Sequence, residues 1–154
     1  MRLLKHNGAG WKYALEPRER MLLRALIDEF LPTTATVAKI TRTGPDAKSA
    51  ERERLLNESL VQHRQELKRQ AKQLLAARLK TGKDGWQLFL NEAERETLLQ
   101  LLNDIRVESW HKCGALENLD LLPPQPSEAD LRHHQFMHLA GYFEWKLLNL
   151  EDGS

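Results

Sequence analysis

Apolar positions recur with helical spacing in four stretches of the chain. From Glu16 to Leu31, the residues Leu22, Leu23, Leu26, Ile27 and Phe30 form an i, i+3, i+4 stripe, and Pro17 suits a first helical turn. Pro32 ends that stretch, and the Thr-, Pro- and Gly-containing text from Pro32 to Lys48 reads as a loop or extended connection. Ser49 is placed to cap a long helix running to about Lys80, with Glu51 and Glu53 at its positive end and Arg78 and Lys80 at its negative end. Its Leu56, Leu60, Leu67, Ala71 and Leu74 share one side, and Arg64, Lys68 and Lys72 follow an i+4 row beside it.

Gly82 and Gly85 separate this helix from a third, which begins after Asn91 and carries Leu98, Leu99, Leu101, Leu102, Ile105 and Trp110 on its apolar face. Asn91 and Glu94 form a cap-like pair there. Pro123, Pro124 and Pro126 break the chain again before a last helix from Ser127 to Leu150, where Ser127 and Asp130 resemble a capping box with Asp in place of the usual Glu.

Two segments change period. GWKYALEPRERMLLRALIDE, from Gly10, resembles GWQLFLNEAERETLLQLLND, from Gly85, and each reads as Gly-Trp, an alternating strand, then a helix. A two-stranded ribbon pairing residues 11–15 with 86–90 is expected, leaning on the helices that follow each strand, because an isolated ribbon is marginal in water. If the repeat is structural, Trp11 and Trp86 lie close together. The expected fold is mainly α: a four-helix single domain over residues 1–154, with one long helix and this two-stranded β ribbon.

A length of 154 residues is one domain's worth of chain, and 41% hydrophobic with 29% charged residues is the composition of a globular protein, not of a disordered or fibrous one. No apolar run approaches the roughly 20 residues that span a bilayer, and MRLLKHNGAG lacks the apolar core of a signal peptide, so a cytoplasmic protein without membrane contact is expected. The single cysteine, Cys113, suits a reducing compartment and reads as a partly buried small hydrophobe. The net charge of +1 conceals an asymmetry: residues 1–90 hold 18 Lys/Arg against 10 Asp/Glu, and residues 91–154 hold 5 against 12. Two halves of opposite charge that pack together need no outside ligand.

The chain has no glycine-rich phosphate loop, Cys-x-x-Cys pair, nucleophile elbow or His-Glu-x-x-His. The metal candidate is His133, His134 and His138, since His134 and His138 project from one helix face at i, i+4, with His111 and Cys113 able to complete four ligands only if the preceding helix end packs nearby. In the last helix Phe136, Ala140, Phe143, Leu147 and Leu150 already supply a core stripe. His134, His138, Tyr142 and Trp145 form a separate row with the composition of an interface anchor, unless the helix is buried on most sides. The basic stretch Arg64–Lys83, seven Lys/Arg with the one acid Glu66, lacks the aromatics that stack on single-stranded bases, and a solvated or internally paired face is expected of it instead of a nucleic-acid contact.

At LLNDIR, residues 101–106, and YFEWKLLNL, residues 142–150, the chain resembles the uncharacterised bacterial family called domain of unknown function two-thousand-and-seventeen. A Leu-rich first helix, an acidic opening before the LLNDIR motif and a Trp-containing last helix follow that family in order over most of the length. The resemblance implies a fold and no reaction, and by family analogy alone a link to Clp proteolysis. In the motif itself, Asp104 and Arg106 are two apart and do not face each other on a helix, so Asp104 is expected to pair elsewhere, for instance with a basic residue of the long helix. These readings together point to a non-enzymatic interaction or regulatory module that binds a protein partner or a second copy through His134, His138, Tyr142 and Trp145 and needs no cofactor. The alternative is a transition-metal-binding protein or enzyme using His134 and His138.

Overall fold

The computed structural model describes residues 1–32, 47–83, 85–113 and 126–149. Their order is β1 (Arg2–Asn7), β2 (Gly10–Leu15), α1 (Pro17–Glu29), α2 (Ala47–Arg78), β3 (Leu79–Gly82), β4 (Gly85–Leu90), α3 (Glu92–Lys112) and α4 (Glu128–Leu148). The expected loop at 32–48 and the proline-rich break before the last helix lie almost wholly outside the described residues. Leu150, assigned above to the core stripe, lies outside them too.

Helix starts follow capping chemistry. Glu16 precedes α1 in a reciprocal box with Glu19, and Pro17 occupies the first turn, where its missing N–H costs nothing. Asn91 and Glu94 close the same box on α3, Glu94 N–H donating to Asn91 Oδ1 at 2.8 Å and Asn91 N–H to Glu94 Oε2 at 3.2 Å. The long helix corrects the expectation at both ends: it begins at Ala47, so Ser49 lies inside it and is not its cap, and it ends at Arg78 because the chain passes directly into a strand.

The ribbon is half of a larger sheet. β2 and β4 pair antiparallel from Trp11↔Leu90 to Leu15↔Trp86, but β1 joins β2 and β3 joins β4, giving four strands in the order β1-β2-β4-β3. The fold is therefore α plus β, not a helical bundle with a ribbon. The antiparallel register also separates the two repeat tryptophans by four residues along the strands, roughly 13 Å, instead of placing them side by side. Each ring has its own cation: the Arg95 guanidinium carbon lies 4.5 Å from the Trp11 centroid and that of Arg20 lies 3.8 Å from the Trp86 centroid. The repeated glycines have a backbone reason. Gly10 and Gly85 both have positive φ, +141° and +107°, and a Cβ on Gly10 would stand 2.2 Å from the Leu90 carbonyl oxygen.

The helices cover one face of the sheet. Leu3, Tyr13, Leu15, Leu79, Leu88 and Leu90 meet Leu23, Leu26, Ile27 and Phe30 of the α1 region, Leu67, Ala71, Leu74 and Leu75 of α2, Leu98, Leu101, Leu102 and Ile105 of α3, and Ala140, Phe143 and Leu147 of α4 in a single cluster. Tyr13, fully buried at its centre, satisfies its hydroxyl by donating to the Leu147 carbonyl at 2.9 Å, and Arg95 Nε donates to the same hydroxyl at 3.2 Å. Of the apolar side expected for the long helix, Leu67, Ala71 and Leu74 enter this core, Leu60 is half-buried and Leu56 is exposed.

Candidate functional site: the outward face of the last helix

Ser127 opens α4 with a capping box: Asp130 N–H donates to Ser127 Oγ at 3.1 Å, and Ser127 N–H donates to Asp130 Oδ2 at 2.9 Å. The backbone donor holds the Asp130 carboxyl below its ordinary value. Met137, Ala140, Phe143 and Leu147 turn into the core, with Phe136 packed beside them. The His134, His138, Tyr142, Trp145 row lies on the other side of the helix, where Trp145 is 57% and Tyr142 39% exposed. It is not consumed by the core.

The four side chains lie along one face of α4. His134 and His138 meet through their Nε2 atoms at 3.2 Å, a contact that needs one ring nitrogen to donate and the other to accept. Lys146 holds its ammonium 4.9 Å from the Trp145 centroid and 5.9 Å from that of Tyr142. Tyr142 also donates from its hydroxyl to Glu19 Oε2 on α1 at 2.6 Å, which fixes the ring at the helix flank. Two residues escaped the sequence reading: Leu131 and Leu148, 42% and 55% exposed, extend the row at either end. Their signal was legible as spacing. Leu131, His134, His138, Gly141, Trp145 and Leu148 are separated by 3, 4, 3, 4 and 3 residues, the spacing of a coiled-coil seam.

The metal reading gains no further ligand. Among the described residues no group of three or more His, Cys, Asp or Glu side chains is placed to hold an ion, so His111 and Cys113 do not complete a set with His134 and His138. Cys113 is buried, its Sγ 3.7 Å from the Asp130 carbonyl, and burial pushes its thiol up. His133 is turned away from the pair and is held below the ordinary imidazole value by burial and then by Lys112.

A second set of charges meets inside the molecule, and it accounts for LLNDIR. Arg64 of α2, 4% exposed, donates to Glu108 Oε2 at 3.3 Å and lies 3.9 Å from Asp104 Oδ2, while Lys112 reaches Glu108 Oε1 at 3.2 Å. Asp104 therefore pairs with the long helix, as its spacing requires. Burial raises its carboxyl, against the pull of Arg64 and His63. Arg106 instead donates to Asn103 at 3.0 Å and pairs with Glu144 at 3.6 Å.

Four more cations of the basic stretch, Lys68, Arg69, Lys72 and Arg78, are spent in the same way. Lys68 donates to the Asp28 and Phe30 carbonyls at 3.0 and 2.6 Å, closing the C-terminal end of α1. Lys72 pairs with Asp28 at 3.4 Å, Arg69 with Glu66, and Arg78 with Glu94 at 2.8 Å. No family model matches this chain, and no curated protein and no solved structure matches it.

Proposed function

We propose that this protein is a non-enzymatic interaction module whose binding face is the outward row of α4, and that a second copy of the chain is its partner. One observation carries the reading: the seam is self-complementary. Reversed about the point midway between Leu139 and Ala140, its six positions pair as Leu131 with Leu148, His134 with Trp145, and His138 with Gly141. Apolar meets apolar at the ends, a ring stacks on a ring, and a large side chain faces the one residue without a side chain. A two-fold antiparallel pairing of this kind makes both partners offer the same patch. The non-enzymatic part rests on Glu108, the buried acid of α3, which is committed to Arg64 and Lys112.

The seam runs about 25 Å, from 17 residues at 1.5 Å each. A standard interface buries roughly 800 Å² on each side, more than one helix face supplies, so association is expected in the micromolar range. Sedimentation of the wild type across a concentration series, beside Trp145→Ala, tests this. Removing an aromatic anchor should cost about 2 kcal/mol or more of association, roughly thirtyfold in Kd, with the melting temperature unchanged. A chain that stays monomeric throughout the series overturns the self-association, and a Trp145→Ala variant that melts far lower without changing its sedimentation overturns the interface itself.

A further inference from the structure

We propose that the open face of the sheet is a second, separate binding surface, and that its ligand is single-stranded nucleic acid. All four helices pack on one face, and the other carries the alternate residues of each strand. The strand register places these in transverse rows. Lys5 stands opposite Lys12, and Lys12 opposite Phe89. Leu79 pairs with Leu88, so Arg78 is the next residue in line with Phe89, its guanidinium carbon 5.8 Å from the ring centroid. The neighbouring row is Arg2, Ala14, Gln87 and Lys80, each opposite the next.

The two rows thus present five cations, four on the strands and Arg78 at the end of α2, with one aromatic ring, one amide and one methyl group. None of the four strands contains an Asp or Glu. Arg78 is paired with Glu94, but among the described residues Arg2, Lys5, Lys12 and Lys80 have no carboxylate within salt-bridge distance. No side chain in the two rows is fully buried.

Phe89 sits half-buried on a central strand, between the inward-facing Leu88 and Leu90, and with Lys5, Asn7, Gly10 and Lys12 it lines a depression of about 360 Å³. An aromatic platform seated in a sheet, with Lys5 and Lys12 beside it free of carboxylates within salt-bridge distance among the described residues, is the arrangement that stacks a base and holds its phosphates. Duplex DNA calls for a helix or ribbon that enters a groove, and these rows run across the breadth of a four-stranded sheet with Phe89 on a central strand. An anionic membrane calls for protruding apolar side chains, and Phe89 is flanked by lysines.

Fluorescence anisotropy of labelled oligothymidylate and oligouridylate with the full-length chain tests the proposal, with duplex DNA and phosphatidylserine vesicles as competitors. The expected affinity falls with salt at a log–log slope of about −2, from roughly three phosphates neutralised at −0.7 each. Phe89→Ala should weaken binding by about tenfold with the slope unchanged, Lys12→Gln should make the slope shallower by about 0.7, and Lys72→Gln on α2 should change neither. Phe89→Leu provides the same comparison if the alanine variant unfolds. Absent binding at low salt, equal competition by duplex or by vesicles, or affinity indifferent to both Phe89→Leu and Lys12→Gln would each overturn it.

Discussion

The cations of α2 and the cations of the sheet look alike in the sequence and differ in what the fold does with them. Arg64, Lys68, Arg69, Lys72 and Arg78, five of the seven cations between positions 64 and 83, each have a carboxylate or carbonyl partner within the molecule. Arg2, Lys5, Lys12 and Lys80 are scattered through 79 positions of sequence, only Lys80 falls in the basic stretch, and the four come together only when four strands pair. A local count of charge finds the first group, but the useful surface is the second. What distinguishes them is the partner: a cation spent on a helix end or a buried acid stabilises the fold, and one left without a counter-ion is available to a ligand.

The comparison predicts effects on stability that run opposite to effects on binding. The largest should come from Arg64→Met, which leaves Glu108, fully buried, short of its α2 partner. Breaking one side of a buried pair costs about 3–5 kcal/mol, and the Arg64→Met/Glu108→Leu double variant should recover much of the loss. Urea unfolding measures both, and a single variant within about 0.5 kcal/mol of wild type would contradict the claim that these charges are spent inside. Lys68→Met comes next. It removes two bonds from a charged donor to carbonyls at the end of α1, at about 1–1.5 kcal/mol each, and amide exchange should show the end of α1 opening more often.

A smaller effect follows from pH. Burial raises the Asp104 carboxyl, so the folded state keeps its proton at a pH where the unfolded chain has released it. Stability from this group is present below the ordinary carboxylate value and is lost as pH rises through the raised one. Asp104→Asn should flatten the fall in stability over that window. A variant with the wild-type slope would show that Asp104 is not the group responsible.

Helix positions were legible because capping and core stripes are local. Asn91 with Glu94 and Ser127 with Asp130 marked two starts within one residue, and the Gly-Trp repeat marked β2 and β4. The edge strands were not found. β1 has a register shift between Leu3 and Lys5, which disrupts the simple alternation. β3 continues straight from α2, and Leu79 fits both the helical and the strand pattern, so the change of element leaves no mark in the sequence. The outward row of α4 was visible as four residues, but its symmetric seam with Leu131 and Leu148 needed the core face to be fixed first. Of the sheet face, the alternation marks Lys12, Ala14, Gln87 and Phe89 as the outer side of the central ribbon, but which of them stand opposite each other is set by register between segments some 75 positions apart, and the edge cations join only with β1 and β3.

The smallest expected stability change is the most informative about the sheet. Lys5 and Lys12 stand directly opposite each other on adjacent antiparallel strands, and like charges in that position repel. Neither has a carboxylate within salt-bridge distance among the described residues, and the fold gains nothing from keeping the two together. Lys12→Gln should therefore leave stability within about 0.5 kcal/mol of wild type, on the stabilising side, and the gain should shrink as salt screens the repulsion. Thermal unfolding at low and high ionic strength, run beside the oligonucleotide titration, separates the two roles. A variant that melts slightly higher and binds more weakly identifies Lys12 as a residue held at a cost to the fold for the sake of a ligand. A loss of stability with no change in binding would instead place Lys12 with the cations of α2, as part of what holds the molecule together.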